Sequence, residues 1–359
     1  MGILYLYHKD IKVAQIETDD QSLVRIVSIY EPKHMPIGTN QTITSVADWL
    51  KRRNLSPERK GLKGLLSHCE INSVAAFPLL SPNVALTDYY WFATEQELEN
   101  NVTWEDIDPL VYGEWNDSGR NYFLGNLDDI RELDSPDFAL NGPRRKFWLK
   151  EQNGTFLAKE EQNNGMDTYA EVAAYIVAAS IGIPNAETFW GVSDHDELFT
   201  LSRCITEDGD VEMVPFWQLE KEGFTSELFE GFAQENGFWN KLQDLYLFDY
   251  LIGNTGRTDE DIAILRNPQT LELIGLCPTY GHANAFRLSN FKNRDVISAF
   301  TGNMLEEDWR RAGAPKKTIS SIENMISRLE LLREEMGMSK ETIDPILAAF
   351  RTRAEELLV

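Results

Sequence analysis

The sequence predicts an α+β protein whose strands and helices are largely segregated along the chain. Three observations predict it. Asn153-Gly154 separates two strand-like runs, 145–151 and 155–161, which is the strongest short hairpin signal. Leu242, Leu245, Tyr246 and Asp249 recur at helical spacing, as do Leu247 and Leu251, so a buried helix is expected over 238–252. Residues 306–358 are helical and amphipathic, with Gly337 and Pro345 as punctuation.

The other elements follow in order. Residues 3–13 and 23–30, rich in Val, Ile and Tyr, read as strands. Residues 45–66 read as helical: Ser45 can cap a first helix, and Ser56-Pro57-Glu58 can restart one. Residues 94–117 are acidic and look like surface connections, and the composition shifts near Asp117-Ser118-Gly119. A helix is expected over 168–181, closed by Gly182 and Pro184. Strands are expected between 188 and 214, and a second hairpin pairs 262–266 with 271–276 across Asn267-Pro268-Gln269.

Composition bounds the function. The 359 residues are 42% hydrophobic and 11% aromatic, ample for a core, which excludes disordered and fibrous proteins. With 34 Lys and Arg against 58 Asp and Glu, the net charge is −24, so most of the surface repels a nucleic acid. The start of the chain lacks a basic region before an apolar stretch, and the apolar run at 172–179 is too short to span a bilayer. The expectation is a cytoplasmic protein that contacts neither a membrane nor a nucleic acid directly. Cys69, Cys204 and Cys277 are far apart and read as reduced thiols.

Several chemistries lack sequence support. His8, His34, His68, His195 and His282 form no HxH or HxxxH pair, so no zinc site is indicated. Neither GxGxxG nor GxxxxGK[ST] occurs. Arg52, Arg53, Arg59, Lys60 and Lys63 make 45–66 the most basic segment, read as a solvated face or a contact for an acidic partner. Trp217, Phe224, Phe229, Phe232, Phe238 and Trp239 should be mostly core. In the Gly253-Asn254-Thr255-Gly256 break, Asn254 is expected to fasten the loop backbone. Arg257 can bind a phosphate or, more commonly, a nearby carboxylate.

The segment Leu247-Phe248-Asp249-Tyr250-Leu251-Ile252-Gly253-Asn254-Thr255-Gly256-Arg257-Thr258 resembles the catalytic loop of HipA-type kinases, F-D-Y-L-I-G-N-T-D-R-H followed by an Asn. The run Thr270 to Tyr280 also fits that family, where it leads into a Mg²⁺-binding Asp. The resemblance extends back to about Ser135 and, more weakly, to the C-terminus. Trp49-Leu50-Lys51-Arg52-Arg53 and Asp88-Tyr89-Tyr90-Trp91 resemble the appended region of Firmicute-type members. The resemblance implies a bilobal protein-kinase-like fold with a small β-rich lobe, a larger α-helical lobe and an N-terminal α/β extension. The expected division is 1–125, 126–215 and 216–359.

The departures carry as much information as the match. The family's catalytic Asp falls on Gly256, the following His on Thr258, the metal-binding Asn on Asp261, and the second metal-binding Asp on Gly281. Phosphoryl transfer needs an acid to orient the nucleophile and hard oxygens to hold Mg²⁺, and a glycine supplies neither. Asp261 and Asp259 could form a rewired metal site. The resemblance also puts Lys159 at the phosphate-binding lysine and Glu171 at its ion-pair partner, with Lys150 as the fallback in another register. Glu171 can equally close a capping box with Thr168. The turn at 135–142 matches the phosphate-covering turn loosely, having one glycine.

These implications lead to a catalytically degenerate kinase-fold protein, a regulatory or scaffolding pseudokinase with a protein partner, in which Lys159, Glu171, Asn254 and Arg257 could still hold ATP. An active kinase or nucleotidyltransferase using Mg²⁺ at Asp259 and Asp261 is the first alternative. A toxin–antitoxin component is the second. His282, beside Gly281, could serve as a base, though a half-exposed loop histidine is the plainer reading.

Overall fold

The computed structural model describes residues 1–110, 118–130, 133, 135–193, 197–293 and 295–359. His195 and Asp117 lie outside them. The chain opens with β1 (Gly2–His8) and β2 (Ile11–Thr18), then β3 (Leu23–Ile29), α1 (Ile43–Arg53), α2 (Leu62–His68) and β4 (Tyr90–Thr94). The four strands form an antiparallel sheet in the order β3-β2-β1-β4. The single strand expected over 3–13 is therefore two, folded back at Lys9-Asp10, with Lys9 at φ 48. The even run of apolar residues hid the turn because its polar dipeptide is so short.

The first helix is capped by Thr42, not Ser45. Ser45 instead completes the reciprocal box from the third helical position. Residues 57–58 form a turn rather than a new helix, and α2 starts after Gly61. Leu4, Leu6, Val13, Ile16, Trp49, Leu50 and Phe92 make the core of this extension. Trp217, far along the chain, is buried among them and ties the extension to the rest of the protein.

Short helices α3 (Glu95–Glu99), α4 (Trp104–Ile107) and α5 (Ser118–Leu124) follow. The second sheet holds β5 (Lys146–Glu151), β6 (Gly154–Glu160), β7 (Thr188–Val192) and β8 (Leu198–Arg203) in the order β5-β6-β8-β7, all antiparallel. Between β6 and β7 runs α6 (Met166–Ile181), ended by Gly182 in the left-handed conformation. Its N-cap is Gly165, so Thr168 lies inside the helix and the capping-box reading of Glu171 does not hold. This helix is apolar nearly all round, as a helix buried on several sides must be.

Next come β9 (Glu212–Pro215), α7 (Phe216–Lys221), α8 (Ser226–Glu235) and α9 (Trp239–Ile252). β10 (Ala263–Arg266) and β11 (Leu273–Leu276) form the second expected hairpin. β9 pairs with β10 and not with the strands before it, giving a third sheet, β11-β10-β9. The chain ends in α10 (Leu288–Lys292), α11 (Leu305–Ala312), α12 (Ile322–Glu335) and α13 (Lys340–Leu357). Tyr169 and Val177 of α6 share a core with Phe248 and Leu251 of α9, Leu329 of α12 and Phe350 of α13. Phe216, Phe229, Phe238 and Val214 form a second core, which partly buried Phe224, Phe232 and Trp239 join as expected. The three thiols are free, Cys204 and Cys277 buried. Among the described residues, no helix is long and apolar enough to cross a membrane.

Candidate active-site cleft

A cavity of about 450 Å³ opens between the second sheet and the loops after α9 and β11. One wall comes from the hairpin β5–β6. Its register sets Lys146 directly opposite Lys159. Lys159 Nζ lies 2.8 Å from Glu171 Oε1 on α6. Glu171 is 4% exposed. Burial alone would raise its carboxyl, but the Lys159 ammonium, His282 and the His282 amide (3.0 Å from Oε2) bring it down to about 2. The pair thus forms, and it is linked through that amide to the loop after β11. Lys150 is exposed on the partner strand β5, with its Nζ donating to Leu110 O.

The opposite wall is the loop after α9. Arg257 is 1% exposed and grips Asp249 with both arms, Nε to Oδ2 at 2.6 Å and Nη2 to Oδ1 at 2.8 Å. Its Nη1 donates to the carbonyls of Asp261 and Tyr280, which fastens the two loops together. Asn254 is fully buried; its Nδ2 donates to Asp249 and its Oδ1 accepts from the Gly256 amide. Neither side chain lines the cavity. The carboxylate partner, not a phosphate, holds Arg257, and Asn254 fastens the loop.

The two glycines have specific neighbours. A Cβ at Gly256 would stand 2.6 Å from both Cβ and Cγ of Asn284, so Asn284 fills the space a side chain at 256 would need. A Cβ at Gly281, whose φ is +75, would stand 2.9 Å from Cγ of Asp261. Asp261 Oδ2 accepts from the amide and hydroxyl of Thr258. Burial pushes the Asp261 carboxyl up to about 6, against the pull of Arg257 and Thr258. Asp259 turns elsewhere: its Oδ2 lies 2.5 Å from Arg52 Nη2 of α1.

His282 is 1% exposed, not a half-exposed loop residue. It packs edge-on to Phe248, and Arg257 Nη2 lies 3.2 Å from its Nδ1. Burial and then the Arg257 charge lower it to about 3, so it stays neutral and serves the loop rather than the cleft.

The basic segment is a solvated face only in part: Lys60 and Lys63 are exposed, while its arginines turn inward. Arg53 and Arg59 are 6% and 3% exposed. Arg53 pairs with Asp88 at 2.8 Å. Arg59 donates to the carbonyls of Leu140, Asn141 and Gly142, the turn that covers the cleft. Asn141 then reaches across the mouth to Glu260, 2.7 Å away. The extension therefore braces both lips of the cavity.

Sequence reasoning missed Lys146, Arg59, Asn141 and Asn284. Lys146 was not readable from the turn signal: with Asn153-Gly154 as the turn residues Lys159 would face Trp148, whereas the chain turns at Gln152-Asn153 and pairs Glu151 with Gly154, which sets Lys146 opposite Lys159. The others come from distant segments and carry no local signal.

The Shewanella oneidensis MR-1 HipA, solved in a toxin–antitoxin complex with HipB and operator DNA, superposes on 98% of this chain and 97% of its own. The TM-score is 0.54 and the identity 11%. The fold is that of HipA. The kinase-like bilobal architecture with its N-terminal extension follows from that likeness. The proinflammatory kinase CtkA of Helicobacter pylori matches 59% of this chain and 90% of its own, with a TM-score of 0.44 and 14% identity. No protein-family profile matches the chain, and no curated protein matches it in sequence.

In the HipA-like frame, the residues suit the two expected ligands differently. For ATP, Lys159 and Lys146 line the cavity where they would meet phosphates, and Leu157, Met213, Pro215 and Trp217 would give an apolar wall for a base. For Mg²⁺ the fit is poor. Two of the positions are glycines, Asp259 is turned to Arg52, and no three Asp, Glu, His or Cys side chains come together to hold a metal among the described residues.

Proposed function

We propose that this protein is a HipA-like pseudokinase: a nucleotide-binding regulatory or scaffolding protein that does not transfer phosphate. The observation that carries this reading is the filling of both emptied positions, Gly256 by Asn284 and Gly281 by Asp261. A site that had merely lost two carboxylates would leave gaps there. Here other side chains occupy the space, while the Lys159–Glu171 pair that holds a nucleotide in kinase-fold proteins persists. The three-domain division at 1–125, 126–215 and 216–359 is part of the same proposal.

A protein partner follows from two supports. The similar HipA is assembled with HipB and operator DNA. On this chain, Phe189 of the edge strand β7 and Leu331 of α12 are 44% and 53% exposed beside each other, an apolar surface at a sheet edge. At a net charge of −24, contact with DNA in a toxin–antitoxin assembly would pass through the partner.

The test uses the purified full chain with γ-labelled ATP and Mg²⁺ or Mn²⁺, together with thermal unfolding. ATP at about 100 times its dissociation constant should add about 2.7 kcal/mol of stability. No label should reach the protein or a generic acceptor. Transfer of phosphate or nucleotide that is abolished by Asp261→Ala would replace this reading with that of an active transferase.

A further inference from the structure

We propose that the cleft binds its phosphorylated ligand as the metal-free polyanion, with Lys146 and Lys159 on adjacent strands supplying the charge that a divalent cation supplies in a phosphotransferase. This rests on the nucleotide-cleft reading above and specifies the form of the ligand.

The first support is the hairpin register. Lys146 and Lys159 are direct cross-strand partners, and like charges so placed repel. Glu171 answers Lys159 alone. Lys146 forms no ion pair among the described residues, and its Nζ sits close to Gly142 in the covering turn.

The second support is the charge accounting. Of the carboxylates lining the cavity, Asp88 lies against Arg53, Asp167 against Arg144 and Arg287, Glu160 against Arg145, and Glu171 against Lys159. Glu260 accepts from Asn141, with Arg52 at 3.6 Å. Among the described residues Asp261 is the one of these that forms no ion pair, though the Arg257 charge acts on it. Against it stand two cations without a carboxylate, Lys146 and, behind the covering turn, Arg59. Arg59 is 3% exposed and its Nη1 has no hydrogen-bond partner among the described residues.

The third support is that the ammonium is poorly accommodated as the cleft stands. Enclosure by protein, then the charges of Arg59 and Lys159, lower Lys146 to about 7, with Asp261 and Glu260 pulling the other way. An entering polyanion removes that penalty. A metal-bound triphosphate carries less negative charge and would bring a cation to a site where, among the described residues, no three acidic, His or Cys side chains come together to hold it.

The experiment is isothermal titration of the full chain with ATP, once with a chelator and once with excess Mg²⁺. Binding should occur in the chelator and weaken severalfold with Mg²⁺. Tripolyphosphate should compete with ATP, and rising salt should weaken both. Lys146→Met should lower ATP affinity at least tenfold without lowering the unliganded melting temperature, since it removes an enclosed unpaired charge. If that variant does not fold, Lys146→Gln and the salt series on the parent make the same test. Binding that requires Mg²⁺ would overturn this inference and leave the nucleotide reading standing. Failure of ATP to bind in either condition would overturn both. Chelator-insensitive binding untouched by Lys146→Met would overturn the assignment of Lys146.

Discussion

Placing an aspartate at position 281 should damage this protein, although it restores the residue that HipA-type kinases carry there. Gly281 sits at φ +75, and an aspartate held in that left-handed region costs about 1 kcal/mol. Its Cβ would stand 2.9 Å from Asp261 Cγ, well inside carbon–carbon contact, so Asp261 must leave. Leaving breaks the bonds from the Thr258 amide at 3.1 Å and hydroxyl at 3.0 Å, worth about 1 kcal/mol each. Two carboxylates would then share the pocket, which disfavours ionising both. Gly281→Asp should therefore destabilise by about 3 kcal/mol at neutral pH. Urea unfolding of the parent, Gly281→Asp, Asp261→Ala and the double variant closes a cycle. The double variant should recover about 2 kcal/mol relative to additivity, because Asp261→Ala empties the contested space. A Gly281→Asp protein within about 0.5 kcal/mol of the parent, or an additive cycle, would refute the claim that Asp261 occupies this position.

Three further outcomes are expected. His282 is held at about 3 in the folded chain against 6.5 when free, so the unfolded state takes the proton first and stability falls as pH drops below 6.5. Its share of that loss is about 2 kcal/mol between pH 7.5 and 5, seen as a parent-minus-variant difference with His282→Asn in urea melts. Asp137 and Asp261, raised to about 6, act in the opposite sense in both proteins and cancel in the difference. Arg257→Met should cost at least about 3 kcal/mol by stranding Asp249, whereas Arg52→Ala, breaking a half-exposed pair, should cost under about 1 kcal/mol. Arg59→Ala frees three carbonyls, so amide exchange in 139–146 should accelerate while α13 stays protected; unchanged exchange would mean Arg59 does not hold the turn.

Much of the fold was legible because its signals are local. The first hairpin (its turn one residue earlier than expected, at Gln152-Asn153), the second hairpin, the buried helix before Gly253 and the helical C-terminal third all form where periodicity and turn chemistry indicate them. The motif around Asn254 lies beside the cavity, which Gly256 and Thr258 line, and Lys159 and Glu171 are close enough to pair. What failed did so for physical reasons. The 3–13 run concealed a turn of two residues. The Thr168 capping signal competed with a tertiary demand on Glu171, and the ion pair won. Lys60 and Lys63 of the basic segment are solvated as expected, but its arginines are satisfied by residues roughly 35 to more than 200 positions away, which no local pattern reports.

The sequence by itself determined that glycines stand at positions 256 and 281, so no side-chain carboxylate is available at either. It also determined the excess of negative charge and the order of strands and helices. Only the tertiary structure decided what stands in the vacated places. Asn284 and Asp261 fill them, Arg257 is spent on Asp249, and Lys146 is set against Lys159 by a hairpin register. Those facts depend on packing between segments distant in the chain, where a side chain's role follows from the neighbour it meets and not from its own identity.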